Sequence, residues 1–252
     1  MGDLVLTSRA NSVGFFSFEN FKSLVWLLIF TVLFRWSVMS PYVVPTASME
    51  STIKVGDRLL ANKLAYDFKL PFTSFVIMHL SDVKRGDIIV FRNPTDPSVD
   101  YIKRVVAIAG DRICIRNNIL YINGIEQKRE AFDFDRSSLV DIADVSENKL
   151  LFRENLDGRW HWVLQQKVGT TSSDWPVDGE AKVISSDSVF VIGDNRSNSS
   201  DSREWGEVPL SYVHGKALLV LWSAFSPRGS WLKFRWGRFG HVLDSDVPIA
   251  TM

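Results

Sequence analysis

The sequence predicts a mainly β protein, with an antiparallel β core, a smaller inserted β-rich region and one preceding N-terminal transmembrane helix. Two observations predict this architecture. One apolar stretch of helical length lies near the N-terminus, and after residue 43 short runs of β-branched and aromatic residues alternate with turn residues. Because no helical pattern separates these runs, they indicate an antiparallel β fold rather than alternating strands and helices.

The apolar stretch covers residues 21–39, which as a helix would reach about 28 Å, close to the thickness of a bilayer's hydrocarbon core. Arg35 lies near its end, where a long side chain can reach the headgroups. The alternatives are a cleaved signal peptide, for which residues 40–42 are a poor cleavage site, and a buried core helix. Arg9 precedes the stretch and Lys22 lies at its start, so the positive-inside rule places the N-terminus inside and the bulk of the chain outside.

Short β-type runs fill the rest of the chain. Seven of them predict strands: Asp87–Phe91, Tyr101–Ile108, Arg112–Arg116, Ile119–Ile122, Trp160–Leu164, Ser188–Ile192 and Lys216–Trp222. The pair at 117–118 predicts a tight hairpin turn between the third run and the fourth. The Gly-Asp pairs at 56–57 and 86–87 are interpreted as plain turns.

The predicted organisation has six parts. They are a cytoplasmic N-terminal segment, a transmembrane anchor, the first part of the core, a more polar insertion, the second part of the core and a basic, aromatic tail, at 1–20, 21–39, 40–123, 124–186, 187–226 and 227–252. The tail interleaves aromatic residues with cations, which suits a bilayer interface. A disordered basic tail is the alternative.

Charge and cysteine content exclude several functions. The 29 basic and 29 acidic side chains cancel, so no bulk field attracts nucleic acid. A single cysteine, Cys114, excludes an internal disulfide and a Cys-x-x-Cys site. The four histidines are scattered without metal-ligand spacing. We therefore expect no metal, no other cofactor and no nucleic-acid partner.

Four segments contain candidate active-site residues: 45–53, 55–66, 85–91 with 100–106, and 193–203 with 205–206. Taken singly, a serine in a polar loop is usually a turn residue, and a lysine near a strand start is usually a surface charge. Together, their Ser-Met, Tyr-Ile-Lys-Arg and Gly-Asp-Asn-Arg sequences resemble the signature boxes of bacterial signal peptidase I, the serine–lysine endopeptidases of the S26 family. The resemblance covers the anchor and most of residues 40–122 and 186–222. It implies the β core that this family shares with self-cleaving repressors.

The resemblance implies that Ser48 is the nucleophile and Lys103 the general base. A lysine amine has a pKa of about 10.4, so it is protonated at neutral pH and cannot accept a proton. Burial can lower that pKa by about 3–5 units because it disfavours the ammonium. The apolar neighbours of Lys103 in sequence fit such burial. We expect Asp100 to point away, since a nearby carboxylate would restore the charge.

Further roles follow from the same resemblance. Ser199 would orient the lysine amine, and the Thr46 hydroxyl would join the Ser48 N–H in an oxyanion hole. The family more often has Ser-Gly where this chain has Thr46 and Ala47. Threonine is stiffer at χ1, and alanine lacks the backbone freedom of glycine. Four charged residues would form supporting ion pairs: Arg104, Asp194, Asp201 and Arg203.

The resemblance also implies a substrate, the signal peptide of an exported preprotein, cleaved after small residues at positions −1 and −3. The peptide would bind as an added strand. Seven residues match the pocket walls, with ordinary core packing as the alternative for each: Tyr42, Val44, Ile53, Leu59, Val90, Tyr101 and Ile102. The implied partners are the lipid bilayer and, functionally, the export translocase. The implied location is the inner (cytoplasmic) membrane, crossed once, with the catalytic domain on the periplasmic or outer side.

Three other functions remain open at this point. A soluble self-cleaving protease of the repressor type would need a DNA-binding domain where this chain has its apolar stretch. A specialised serine–lysine processing peptidase of one secretion or pilus system has no distinguishing feature in the sequence. An inactive, membrane-tethered peptide-binding domain would have no reason to retain Ser48, Lys103 and Ser199 together.

Overall fold

The computed structural model describes residues 18–70, 73, 75–132, 149–166, 174–176, 180–225 and 232–243. In chain order the elements are α1 (Phe18–Ser37), β1 (Met39–Val43), β2 (Asp57–Asn62), β3 (Asp67–Lys69), β4 (Val76–His79), β5 (Ile88–Arg92), β6 (Asp100–Ala107), β7 (Arg112–Arg116), β8 (Ile119–Ile122), β9 (Ile125–Glu126), β10 (Arg129–Phe132), β11 (Lys149–Leu156), β12 (Arg159–Gln166), β13 (Lys182–Val183), β14 (Ser188–Ile192), α2 (Ser202–Trp205), β15 (Val208–Pro209), β16 (Val213–Phe225) and β17 (Lys233–Phe234). Short 3₁₀ turns lie at Lys63–Ala65, Leu210–Tyr212 and Trp236–Arg238.

The main sheet is antiparallel, with strand order β1-β2-β16-β5-β6-β14-β15, and β17 pairs with the end of β16. β7, β8, β9 and β13 form a second sheet, β10 to β12 a third, and β3 and β4 a separate hairpin. The predicted mainly β architecture is therefore confirmed. All seven runs that predicted strands coincide with strands, except that Asp87 lies just before β5 and Ile108 just after β6.

β5 is buried on both faces of the main sheet, which explains its unbroken apolar sequence. Ile88 and Val90 pack in one cluster of buried side chains, whereas Ile89 and Phe91 pack in another. Successive side chains of a strand point to opposite faces. Both faces must therefore be covered, and β6, which pairs with β5, is likewise buried from Lys103 to Ala107.

The hairpin turn predicted at 117–118 is confirmed. Asn117 and Asn118 both have positive φ, 52° and 63°, and they join β7 to β8 with Arg116 opposite Ile119. Two consecutive left-handed residues are the requirement of a type I′ turn, and asparagine tolerates this conformation better than most residues.

Helix α1 occupies most of the predicted apolar stretch, but it ends at Ser37, and the chain enters β1 at Met39. Every side chain from Asn20 to Trp36 is exposed. Within the described ranges, none of the helices combines the length and the apolar character needed to cross a membrane. The transmembrane helix predicted over 21–39 is thus not supported.

The C-terminal residues 232–243 pack on the main sheet. β17 pairs with β16, Val242 bridges to Leu219, and Leu243 enters a buried cluster. Arg238 is also buried, in an ion pair with Asp57. The alternative of a disordered tail does not hold for these residues.

Candidate active site

Ser48 and Lys103 meet on the wall of a cavity beside the main sheet. Ser48 lies in the loop of residues 44–56 between β1 and β2, which we call the serine loop, and Lys103 lies on β6 opposite Ile89 of β5. Although 55 positions separate them in sequence, Lys103 Nζ is 2.5 Å from Ser48 Oγ. Both side chains are buried, with 4% of Lys103 and 8% of Ser48 exposed.

Burial lowers the pKa of Lys103 to about 8, and the negative charges of Asp201 and Asp194 oppose part of that shift. The ring of Tyr101 lies 5.3 Å from Nζ. Asp100 contacts His214, with 3.0 Å between the carboxylate and the ring nitrogen. The lysine can therefore lose its proton near neutral pH, since a desolvated ammonium is disfavoured relative to the free amine.

The cavity around this contact has a volume of about 310 Å³. Its walls are the serine loop, the start of β6 and the loop after β14, and they include Val44, Ile53, Tyr101, Ile102 and Ser199. Three of the predicted wall residues lie elsewhere: Tyr42 borders a neighbouring cavity, and Leu59 and Val90 lie buried beneath the site.

Thr46 and Ser199 also line this cavity, but neither takes part in the hydrogen bond between Lys103 and Ser48. Thr46 Oγ1 is 3.4 Å from Ser48 Oγ, on the wall of the same cavity. The hydroxyl of Ser199 is buried close to the carboxylate of Asp201, whose pKa it helps to lower. It lies against Gly193, where a Cβ atom would come within 2.2 Å of it.

The four predicted ion-pair residues form two pairs beneath the cavity. Arg104 donates two hydrogen bonds of 2.8 Å to Asp194, and Thr52 of the serine loop donates a third, of 2.6 Å. Burial opposes the ionisation of Asp194, but the Arg104 guanidinium holds its pKa below the usual range.

The second pair joins Arg203 to Asp201 at 2.8 Å, and Asp201 also accepts the N–H of Gly193 at 3.0 Å. Burial disfavours its charged form as well, yet the contact with Arg203 lowers the pKa of Asp201. Buried carboxylates with such partners remain ionised and hold the loops that carry them.

Sequence reasoning missed two buried aspartates. Asp57 is paired with Arg238 at 2.6 Å, and Asp87 is paired with Lys216 and Arg159 at 2.8 Å each. The preceding glycines do turn the chain, with φ of +90° and +88°. Both Gly-Asp pairs therefore form turns, as predicted, but each aspartate also anchors a buried ion pair whose partners lie far away in sequence.

Sequence reasoning also missed the roles of Gly193 and Asn195, although both belong to the Gly-Asp-Asn sequence that carries the resemblance. An added Cβ at Gly193 would lie 2.4 Å from the carbonyl oxygen of Ser48 as well as striking Ser199. Asn195 donates hydrogen bonds to the carbonyls of Ala47 and Ser48. Within the described part of the chain, no three His, Cys, Asp or Glu side chains are grouped to hold a metal ion.

A serine hydroxyl at hydrogen-bond distance from a buried lysine amine, on the wall of an open cavity, is an arrangement suited to a serine endopeptidase. A sequence-family model described as "Signal peptidase, peptidase S26" matches residues 17–222. The chain belongs to the signal peptidase family of serine endopeptidases.

The similar proteins are described as signal peptidase I. Signal peptidase I of Pseudomonas aeruginosa is 31% identical over 221 residues, which are 83% of this chain and 74% of that protein. Signal peptidase I of Aquifex aeolicus is 33% identical over 231 residues, covering 81% of this chain and 84% of the relative. The crystal structure of a signal peptidase I from Enterococcus faecalis aligns with 54% of this chain and 97% of its own, at 23% identity and a TM-score of 0.33.

Proposed function

We propose that this chain removes N-terminal signal peptides from exported preproteins, with Ser48 as the nucleophile and Lys103 as the general base. The observation that carries the proposal is the 2.5 Å contact between Nζ and Oγ in a buried setting. The lowered pKa of Lys103, about 8, leaves a useful fraction of free amine at neutral pH.

The reaction follows from this geometry. Neutral Lys103 takes the proton of Ser48 Oγ as the oxygen bonds to the scissile carbonyl carbon, and the carbonyl oxygen becomes an oxyanion. When the C–N bond breaks, the lysine ammonium gives the proton to the leaving amine. Water then attacks the acyl-enzyme, again losing its proton to Lys103, and the released Ser48 regains its hydroxyl.

We assign the oxyanion hole to the backbone N–H of Ser48 and the hydroxyl of Thr46. Thr46 Oγ1 lies 3.4 Å from the attacking oxygen and on the same cavity wall, so it can reach an oxygen bonded to the same carbon. Such a donor contributes roughly 10²–10³ in rate. The apolar part of the wall, including Val44, Ile53 and Ile102, suits small substrate side chains at −1 and −3.

We also assign helix α1 to the attachment of the catalytic domain to a bilayer on the outer side of the inner membrane. Its apolar side chains are exposed, and the serine loop follows β1 directly. Flotation of the full chain with phosphatidylglycerol vesicles tests this. We expect Leu28→Asp to reduce flotation and Ile125→Asp, at a site of similar exposure (68% against 65%), to leave it unchanged.

The activity is tested with detergent-solubilised protein and a peptide containing a signal-peptide junction with Ala-x-Ala. We expect cleavage after the second alanine, which Ser48→Ala and Lys103→Ala abolish. Lys84→Ala, at an exposed lysine outside the cavity, is the control. Cleavage that persists in Lys103→Ala would overturn the proposed base. Cleavage of one preprotein but of no other signal peptide would favour a specialised processing peptidase.

A further inference from the structure

Asn195 contacts both peptide groups that flank the nucleophile. Its Nδ2 donates to the carbonyl oxygen of Ala47 at 3.0 Å, and its backbone N–H donates to the carbonyl oxygen of Ser48 at 3.1 Å. The residue is 1% exposed, so water does not compete for these bonds. A single residue thus fixes the backbone on either side of Ser48.

The first of these bonds sets the direction of the Ser48 N–H. A trans peptide group is planar, and its C=O and N–H point in opposite directions. Because Asn195 holds the Ala47 oxygen on the protein side, the N–H of Ser48 must point the other way, towards the cavity that Thr46, Ala47 and Ser48 line. In the part of the chain that the structure describes, this N–H donates no hydrogen bond, so it is available to a ligand.

We infer that Asn195 is a positioning residue that keeps the N–H of Ser48 aimed at the oxyanion. This inference rests on the proposed function. If the peptide group between Ala47 and Ser48 rotated, it would replace a donor in the cavity with a carbonyl oxygen that repels the oxyanion. The N–H of Glu50 also donates to the Ala47 oxygen, at 3.0 Å, so loss of the Asn195 amide weakens this restraint without removing it.

The backbone of Asn195 is itself held by β12. Leu164 on β12 donates to the carbonyl of Asp194 and accepts from the N–H of Arg196, each at 2.8 Å, in a parallel bridge beside Asn195. The Arg196 guanidinium is paired with the buried carboxylate of Glu154 on β11. The amide of Asn195 therefore acts from a rigid support.

The inference is tested by steady-state cleavage of the Ala-x-Ala peptide with Asn195→Ala, compared with wild type. We expect kcat to fall on the order of 10-fold, less than the loss of an oxyanion donor outright, while KM stays within about twofold. The pH midpoint should stay near that of wild type, because the environment of Lys103 is unchanged. Asn123→Ala is the control: it removes two hydrogen bonds from a turn outside the cavity and is expected to lower stability but not kcat.

A second readout separates positioning from general damage. A peptide aldehyde forms a hemiacetal with Ser48 whose oxygen occupies the oxyanion hole, whereas the corresponding amide peptide binds without reaction. We expect Asn195→Ala to weaken the aldehyde about as much as it lowers kcat and to leave binding of the amide unchanged. Asn195→Leu, which keeps about the size of the side chain but lacks the donor and carries no charge, should behave alike if the alanine variant does not fold.

Three outcomes would overturn the inference: a folded variant with kcat within twofold of wild type, an equal loss of aldehyde and amide binding, or a loss of kcat in Asn123→Ala of the same size. Wild-type protein that does not cleave, or cleavage that Ser48→Ala retains, would instead refute the proposed function. The two failures are therefore distinguishable.

Discussion

Gly193 offers a sharp test of the active-site geometry, because a single methyl group there must displace the nucleophile. In Gly193→Ala the new Cβ would lie 2.4 Å from the carbonyl oxygen of Ser48, whereas an ordinary contact begins near 3.4 Å. The Ser48 backbone must therefore move by about 1 Å, the difference between those two distances. The flexible hydroxyl of Ser199, 2.2 Å away, can rotate, but the Cβ of Ser199, 2.6 Å away, and the backbone oxygen held by Asn195 cannot.

A displacement of about 1 Å at a reacting group costs on the order of 10²-fold in rate. We expect kcat/KM of Gly193→Ala to fall by at least that factor in the Ala-x-Ala peptide assay. Gly124→Ala is the matched control, since Gly124 has a positive φ of +79° but open space where its Cβ would lie. That variant should lose some stability and retain its activity. A Gly193→Ala protein with kcat/KM within tenfold of wild type would refute the packing described here.

Three further predictions concern the base, the oxyanion hole and the fold. Because only the free amine of Lys103 can accept a proton and its pKa is about 8, the cleavage rate should rise with pH through about 8; a rate that falls over that range would contradict the assignment. Thr46→Val should lower kcat roughly 10²-fold, whereas Thr46→Ser, which keeps the hydroxyl, should not. Single-turnover cleavage measures this difference, and equal rates for the two variants would show that Thr46 is not part of the oxyanion hole. Arg238→Leu should lower the free energy of unfolding by about 3–5 kcal/mol, because it leaves the buried carboxylate of Asp57 without its cation. Urea titration should find a smaller loss of unfolding free energy in the double variant Arg238→Leu, Asp57→Leu.

The strands could be predicted from sequence because their signal is local. β5 is a short apolar run between turns, β6 is rich in β-branched and aromatic residues, and the hairpin at 117–118 depends only on the conformations of two asparagines. The meeting of Ser48 and Lys103 could be anticipated only through the motif resemblance. No local pattern brings together two residues 55 positions apart in sequence.

The contacts that support the site were out of reach for the same reason. Asp57 and Arg238 are 181 positions apart, and Asn195 is 148 positions from the carbonyl it holds. Nothing beside Asp57 distinguishes it from a turn residue. In the pocket walls, sequence could not separate residues that line the cavity from those beneath it, such as Leu59 and Val90, since both kinds are apolar.

The return of residues 232–243 to the main sheet has a consequence for synthesis of the protein. Arg238 joins the carboxylate of Asp57, at the start of β2, to the carbonyl oxygen of Thr52 in the serine loop. A nascent chain that has emerged only as far as β16 would contain Ser48, Lys103 and Asn195, but Asp57 would be buried without its partner. We therefore expect the protease to mature only after residue 238 has left the ribosome, so that the growing chain does not cleave peptides while it is still being made.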